Sequence, residues 1–218
     1  MRSEMIRHRI PRIKDSLQFL KESGCHVEYC LDIGVHSGTP WLQYSFPKAH
    51  YVLVEPDTNH NNVIYENYKN YSYELINVAV GNTNQTQASL RCVHEGETFD
   101  IKSNIKTLDS LGIDPPLHSL CKIDVDGYEL DVIVGGLETL AKFNLIVVES
   151  QLDTIGFIKI ELEDIGFHLW DIVNMDYERG NLHQVDLVFK KDNFILKEVT
   201  GYPEYDFFRQ GSEYHESN

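Results

Sequence analysis

Basic residues are scarce in this chain of 218 residues, where 19 Lys and Arg stand against 34 Asp and Glu, a formal net charge of −15. Nucleic acids and anionic membrane surfaces are bound through clustered Lys and Arg, so the composition argues against both partners. A net charge this far from zero favours solubility. At this length and 42% hydrophobic content we expect one domain with a substantial core.

Patterns that define several other protein classes are also missing. The four cysteines form no C-x-x-C pair and the ten histidines form no H-E-x-x-H motif, so no zinc site is predicted. Isolated thiols predict a reducing, cytoplasmic setting. No apolar run approaches the length of a membrane span, and the basic N-terminal segment lacks the apolar stretch of a signal peptide.

The chain lacks the loops that bind pyrophosphate or triphosphate, since neither G-x-G-x-x-G nor G-x-x-x-x-G-K-[ST] occurs. Asp32 to Gly38 read D-I-G-V-H-S-G instead, with His36 at the place of a second close glycine. The apolar runs on either side are typical of parallel strands covered on both faces. The turn therefore predicts a cofactor without pyrophosphate or, alternatively, an ordinary turn that binds nothing.

An acid at the end of the second predicted strand favours a cofactor. Glu55 follows Asp32 by 23 residues, and a carboxylate there can accept both hydroxyls of a ribose. S-adenosylmethionine has a ribose and an adenine but no phosphate, so it fits this turn best. The alternative is that Glu55 only caps a helix before Pro56.

Short apolar strands alternate with amphipathic helices, which predicts an α/β fold with a mostly parallel sheet, helices on both faces and an antiparallel C-terminal edge hairpin. The predicted strands are 29–33, 50–55, 73–80, 119–125, 144–149, 167–173 and 184–190, with an extra strand at 87–93. The predicted helices are 11–23, 40–46, 58–69, 127–140 and 153–165. Residues 94–106 are predicted as an irregular loop and 174–183 as a polar connection. We divide the chain into an N-terminal helical segment 1–28, a main domain 29–191 and a polar tail 192–218.

Five sequence blocks, in this order and spacing, resemble the FkbM-type S-adenosylmethionine-dependent methyltransferases. They are LDIG with Gly38, VEPD at 54–57, NVAVG at 77–81, TLDSL at 107–111, and KIDVDGYELDV at 122–132 followed by two glycines. The resemblance implies a Rossmann-like class I methyltransferase sheet and methyl transfer, usually to a hydroxyl oxygen of a sugar or small natural product. The chain departs from the family at Val35 and His36, where Ala and Asn are common, and at Asp126, where Glu is usual.

The resemblance assigns the cofactor to side chains at the strand ends. Asp32 would position the amino end of the cofactor, Glu55 would hold the ribose, and Asn77 and Ala79 would flank the adenine edge. Asp32 could instead only order the turn, and Asn77 could be a strand-end residue. The full predicted cofactor set is Asp32, Gly34, His36, Gly38, Glu55, Pro56, Asn77, Ala79 and Asp124.

Asp124, Lys122 and Glu129 are the predicted catalytic residues. Asp124 ends a parallel strand, where catalytic groups collect, and could take or orient the hydroxyl proton of an acceptor. Lys122 lies on the same face by strand alternation, so a buried salt bridge is the alternative role of this pair. Asp124, Glu129 and Glu149 could also bind Mg²⁺, because hard cations prefer oxygen ligands.

These observations favour a methyltransferase that acts on a hydroxyl of a glycan, glycoconjugate or small metabolite. A cofactor-binding module without turnover is the first alternative, because positions 35, 36 and 126 are altered. A nicotinamide-dependent oxidoreductase is the second, and the absent G-x-G-x-x-G argues against it. The identity of the acceptor, the metal dependence and the oligomeric state stay open at this point.

Overall fold

The computed structural model describes residues 12–94 and 97–191, so the predicted tail at 192–218 lies outside the described residues. The strands are β1 Tyr29–Ile33, β2 His50–Val54, β3 Ser72–Ile76, β4 Ala79–Val80, β5 Gln85–His94, β6 Glu97–Lys106, β7 Ser119–Ile123, β8 Leu145–Gln151, β9 Phe167–Glu178 and β10 Asn181–Lys191. The helices are α1 Ile13–Glu22, α2 Pro40–Ser45, α3 Asn61–Tyr68, α4 Glu129–Val134, α5 Leu137–Leu140 and α6 Ile155–Asp164. In that part of the chain, no helix is both long and apolar enough to cross a membrane.

Seven strands form the main sheet in the order β3-β2-β1-β7-β8-β10-β9. The first five of these pair in parallel, whereas β10 pairs antiparallel with both β8 and β9. The predicted fold class, a mostly parallel sheet with an antiparallel C-terminal edge, is therefore confirmed.

Helices cover both faces of this sheet because successive strand residues point to opposite sides. Leu31 and Ile33 of β1 pack in a core with apolar residues of α4, α5 and α6. Cys30 packs in a second core with residues of α1, α2 and α3. Strands β1 and β7 are buried almost throughout, as expected for central parallel strands.

A second, three-stranded sheet corrects two sequence predictions. The predicted strand 73–80 ends at Ile76, and β4 instead pairs in parallel with β6. The predicted irregular loop 94–106 is wrong, because β6 occupies most of it and pairs antiparallel with β5. The predicted extra strand at 87–93 is confirmed as part of β5. Its partner β6 was missed, because a strand can satisfy its backbone by pairing without a strong hydrophobic pattern.

The predicted polar connection 174–183 is also wrong, since β9 and β10 extend through it to a turn at Arg179 and Gly180. Both turn residues have positive φ, 50° and 82°, as in the tight turns that suit twisted hairpins. The predicted helix 127–140 is broken at Gly135 and Gly136. A Cβ on Gly135 would lie 2.1 Å from the carbonyl oxygen of Gly81, so the break lets the two chain segments touch.

Candidate active site

A cavity of about 610 Å³ opens at the carboxyl ends of β1, β2 and β7. Its volume is in the usual range for small-molecule sites. The chain runs from β1 outward to β2 and β3 on one side, then returns to β7 on the other. Ligands of open α/β sheets bind at such a reversal of strand order. The walls come from the turn after β1, the ends of β2 and β7, and the hairpin of β5 and β6.

The turn after β1 is fixed by backbone geometry. Gly34 has a φ of +81°, and a Cβ there would lie 1.7 Å from the carbonyl oxygen of Asp124. Glycine is therefore required by the close approach of β7 as well as by the cavity. His36 also has positive φ, 51°, a conformation that Asn, Asp and His adopt more readily than most residues. The change from the Asn common in the family thus preserves the turn.

Glu55 lies in the cavity wall with 5% of its surface exposed. Its Oε2 accepts a hydrogen bond from the His36 backbone N–H at 2.7 Å, and its Oε1 accepts one from Asp57 N–H at 2.9 Å. Each carboxylate oxygen can accept a second hydrogen bond. The backbone at His36 and Asp57 therefore fixes the carboxylate. Each of its oxygens can still accept one hydrogen bond from a hydroxyl group.

Asn77 and Ala79, both predicted to flank the adenine, have different positions in the structure. Ala79, like Pro56 and Gly38, lines the cavity, whereas Asn77 is not among the lining residues. The Asn77 amide donates to the carbonyl oxygen of Glu55 at 2.9 Å and pairs with the amide of Asn61. Its side chain therefore supports the backbone beneath Glu55.

Asp32 and Lys122 form a buried pair beneath the turn. Lys122 Nζ lies 3.2 Å from Asp32 Oδ1 and 3.2 Å from Asp124 Oδ2, and it donates to the Gly34 carbonyl oxygen at 2.7 Å. Burial alone would lower the pKa of Lys122, but the carboxylates of Asp32 and Asp124 outweigh it and raise that pKa. Lys122 is thus a fixed cation that joins β1 to β7. It lines the cavity, whereas Asp32 is fully buried and does not.

Carboxyl groups cluster around Asp124. Its side chain lines the cavity and shares a hydrogen bond with Glu149. Burial and the Asp124 carboxylate raise the pKa of Glu149 to about 9, and burial raises that of Asp186 to about 6. Burial also raises the pKa of Asp126. A pKa of about 9 favours the protonated form of Glu149 at neutral pH.

Glu129 has a different position from the one predicted. Its Oε1 accepts hydrogen bonds from the backbone N–H groups of Val125 and Gly127, each at 3.0 Å, and it does not line the cavity. It holds a turn in which Asp126 and Gly127 both have positive φ. The carboxylates whose oxygens lie within 4.8 Å of one another are Asp124, Asp126 and Glu149, so Asp126 takes the place expected for Glu129 in the predicted metal set.

Replacing Glu149 with Gln is expected to stabilise the protein at pH 8 by about 1–2 kcal/mol. The pKa of Glu149 rises from 4.5 to about 9 on folding, so the folded chain binds more protons between these pH values and stability falls as pH rises through them. The gain should disappear at pH 5, where the folded carboxyl is already neutral. Urea unfolding at both pH values measures this. The exposed Glu66→Gln is the control, and an equal effect from it would contradict the expectation.

Sequence reasoning missed several residues that line the cavity. Trp41 lines the cavity, and so do Leu90 and Arg91, which lie in the predicted extra strand at 87–93. His60 also lines the cavity, with its ring centroid 4.1 Å from that of His36. The available signal was the turn after the VEPD block, which brings His60 back beside Glu55.

Comparison with solved structures defines the class of fold. The chain is similar to magnesium protoporphyrin IX methyltransferase from Synechocystis PCC 6803, with 12% identity, a TM-score of 0.52, and coverage of 82% of this chain and 77% of that one. It is also similar to the N-methyltransferase NodS from Bradyrhizobium japonicum WM9 in complex with S-adenosyl-L-homocysteine, with 11% identity, a TM-score of 0.53, and coverage of 82% and 85%. These likenesses show the sheet of class I methyltransferases. No curated protein matches the chain in sequence.

The family model described as Methyltransferase FkbM domain matches residues 32–178. This range includes β1 to β9 from Asp32 onward, and with it the glycine turn, Glu55, Asp124 and the second sheet. The chain belongs to the FkbM methyltransferase family.

Proposed function

We propose that this protein uses S-adenosylmethionine to methylate a hydroxyl oxygen on a sugar, a glycan or a small natural product. The observation that carries the proposal is the Glu55 carboxylate, which two backbone N–H groups fix in the wall of the cavity at the end of β2. An ionised carboxylate only accepts hydrogen bonds, so a fixed one is suited to bind the O–H groups of a ribose. The family membership of the chain supports methyl transfer.

The cofactor would lie along the turn after β1. Gly34, His36 and Gly38 would bring the backbone close to it, Glu55 and Pro56 would hold the ribose, and Ala79 would line the adenine side. Asp32 would act through Lys122, which fixes the Gly34 carbonyl, and Asn77 through the backbone of Glu55. When bound, S-adenosylmethionine supplies an electrophilic methyl group on a sulfonium.

Asp124 is the residue we assign to the acceptor hydroxyl. Its carboxylate is partly exposed in the cavity, and Lys122 Nζ holds it at 3.2 Å. A carboxylate oxygen there can take the hydroxyl proton as the acceptor oxygen becomes nucleophilic. Lys122 would orient Asp124, and Glu129 would shape the turn that presents it. A general base must lie within hydrogen-bond distance of the proton that it removes. The position of the Asp124 carboxylate in the cavity is therefore the main requirement for this role.

A divalent cation is an alternative way to activate the same hydroxyl. Asp124, Asp126 and Glu149 offer oxygen ligands at spacings that suit Mg²⁺. Assays of hydroxylated acceptors with Mg²⁺ and with a chelator separate the two routes. Transfer that survives chelation assigns the proton to Asp124, whereas cofactor binding without transfer to any acceptor would favour the module without turnover.

A cytoplasmic setting is part of this proposal. Cys25, Cys30 and Cys121 are buried free thiols. Burial raises the pKa of each of them, which keeps them in the unreactive thiol form.

Calorimetric titration with S-adenosylhomocysteine tests the cofactor assignment. We expect micromolar binding by the wild type and a loss of more than about 100-fold in Glu55→Ala, because two hydrogen bonds to a charged group each contribute about 1.5–3 kcal/mol. Glu55→Gln should lose less, since its amide oxygen still accepts. The control is Glu74→Ala, which removes an exposed acid on β3. Absence of binding by folded wild type, or wild-type affinity in Glu55→Ala, would contradict the assignment.

A further inference from the structure

The part of the cavity between Glu55 and the second sheet is largely apolar. Its lining includes the side chains of Val54, Val78, Val80, Ile105 and Val125. Val54 and Val80 are buried, and the other three are half-buried. Small-molecule sites are lined mainly by apolar side chains, and a few polar groups fix the orientation of the ligand. The polar groups at the border of this part therefore bear on which ligand it takes.

Asp131 brings a carboxylate to this part of the cavity. It lies half-buried in the first turn of α4 and lines the cavity, as does Asn82. Asp131 Oδ1 accepts a hydrogen bond from the Asn82 amide at 2.7 Å. The close approach of Gly135 to the Gly81 carbonyl oxygen holds α4 against the chain that follows β4. The carboxylate is therefore fixed in orientation, and it keeps capacity for a ligand because each of its oxygens can accept two hydrogen bonds.

We infer that Asp131 is a specificity-determining residue that accepts a hydrogen bond from the exocyclic amino group of the cofactor's adenine. The inference rests on the proposed cofactor function, which places the ribose at Glu55 and the attached base in the neighbouring apolar part of the cavity. An ionised carboxylate only accepts hydrogen bonds, and the amino group is a donor. A hydrogen bond to a charged acceptor is about twice as strong as a neutral one, so this contact selects a base that carries an amino group.

The other polar side chains on this side of the cavity suit the role less well. Thr83 and Gln85 line the cavity but are exposed, and Gln85 Nε2 donates to Thr83 Oγ1 at 3.1 Å. A hydroxyl or an amide both donates and accepts, so neither distinguishes an amino group from an acceptor. Arg91 also lines the cavity, but a guanidinium only donates. The chemistry of Asp131 is the one that requires a donor on the base.

The test is calorimetric titration of wild type and Asp131→Ala with two ligands, which together form a thermodynamic cycle. The ligands are S-adenosylhomocysteine and its 6-deamino analogue, in which hydrogen replaces the amino group of the purine. Wild type should bind the analogue at least about tenfold more weakly, because it lacks a hydrogen bond to a charged group. Asp131→Ala should bind the two ligands with affinities within about twofold of each other. Asp131→Asn keeps the shape of the side chain and should discriminate less than wild type, because a neutral acceptor forms a weaker hydrogen bond.

Glu138 provides a matched control on the next helix. It is an exposed acid in the first turn of α5 and is not among the residues that line the cavity. Glu138→Ala therefore removes a similar charge from a helix N-terminus and should keep the wild-type ratio of the two affinities. Equal affinities of wild type for the two ligands, or a wild-type ratio in Asp131→Ala, would overturn the inference alone. Absence of S-adenosylhomocysteine binding by folded wild type would overturn it together with the proposed function.

Discussion

Replacing Lys122 with Met is expected to lower the free energy of unfolding by about 3–5 kcal/mol, the usual cost of leaving a buried charge without its partner. Lys122 is 5% exposed and Asp32 is fully buried. The ammonium is held by two carboxylates and one carbonyl oxygen. Methionine fills a similar volume, so the loss would come from the charge and not from a cavity. Denaturant unfolding at pH 7 measures the change.

Two further variants make this expectation specific. Lys142→Met removes an exposed cation paired with Asp114 at 2.8 Å, and it should cost no more than about 1 kcal/mol. The double variant Asp32→Asn/Lys122→Met removes both buried charges and should be at least about 1.5 kcal/mol more stable than Lys122→Met alone. Equal losses for Lys122→Met and Lys142→Met would show that the buried pair does not stabilise the junction of β1 and β7.

Replacing Gly34 with Ala is expected to destabilise the protein by about 4 kcal/mol or more, a value typical of severe steric strain. The added Cβ would lie 1.7 Å from the Asp124 carbonyl oxygen and 2.8 Å from the Asp124 carbonyl carbon. Both are backbone atoms of the residue that follows β7, so no side-chain rotation relieves the clash. The junction would have to separate, and the hydrogen bond from Lys122 to Gly34 would move with it. Soluble yield, circular dichroism and denaturant unfolding measure the loss.

Gly112→Ala separates the clash from the cost of the backbone conformation. Gly112 has a φ of +68°, close to that of Gly34, but no atom lies within 4 Å of its virtual Cβ. Its replacement should cost about 1 kcal/mol, the penalty of a left-handed non-glycine residue. If the two variants lost similar stability, the close approach of β7 could not be the reason for glycine at position 34.

The centre of the main sheet could be predicted from the sequence because its central strands are buried on both faces. Runs such as 29–33 and 119–123 are apolar enough to be recognised without a partner. Of the hairpin of β5 and β6, the sequence predicted the first strand, at 87–93, but not its partner β6. β6 pairs its backbone with β5, and periodicity does not report backbone pairing.

Side-chain direction limits what the sequence can predict about the site. Glu55, Lys122 and Asp124, which were predicted from the spacing of strand ends, all line one cavity. Glu129 and Asn77 also follow strand ends closely in the sequence. Their polar side-chain atoms, however, form hydrogen bonds with the backbone of neighbouring turns. Such capping depends on the φ and ψ angles of those turns, for example the positive φ of Asp126. His60 was missed because only the folded turn brings it to Glu55.

The pairing of β1 with β7 also affects the order in which the protein folds. It joins residues 29–33 to residues 119–123, a contact of long sequence separation that requires closure of a large loop. The hairpin of β5 and β6 pairs Arg91 with Asp100 and needs only a short loop, so it can form early. Asp32 must stay hydrated until Lys122 reaches it, because burial of a lone carboxylate is too costly. The floor of the cavity and the neutralisation of its buried acid therefore arise in one late, concerted folding event.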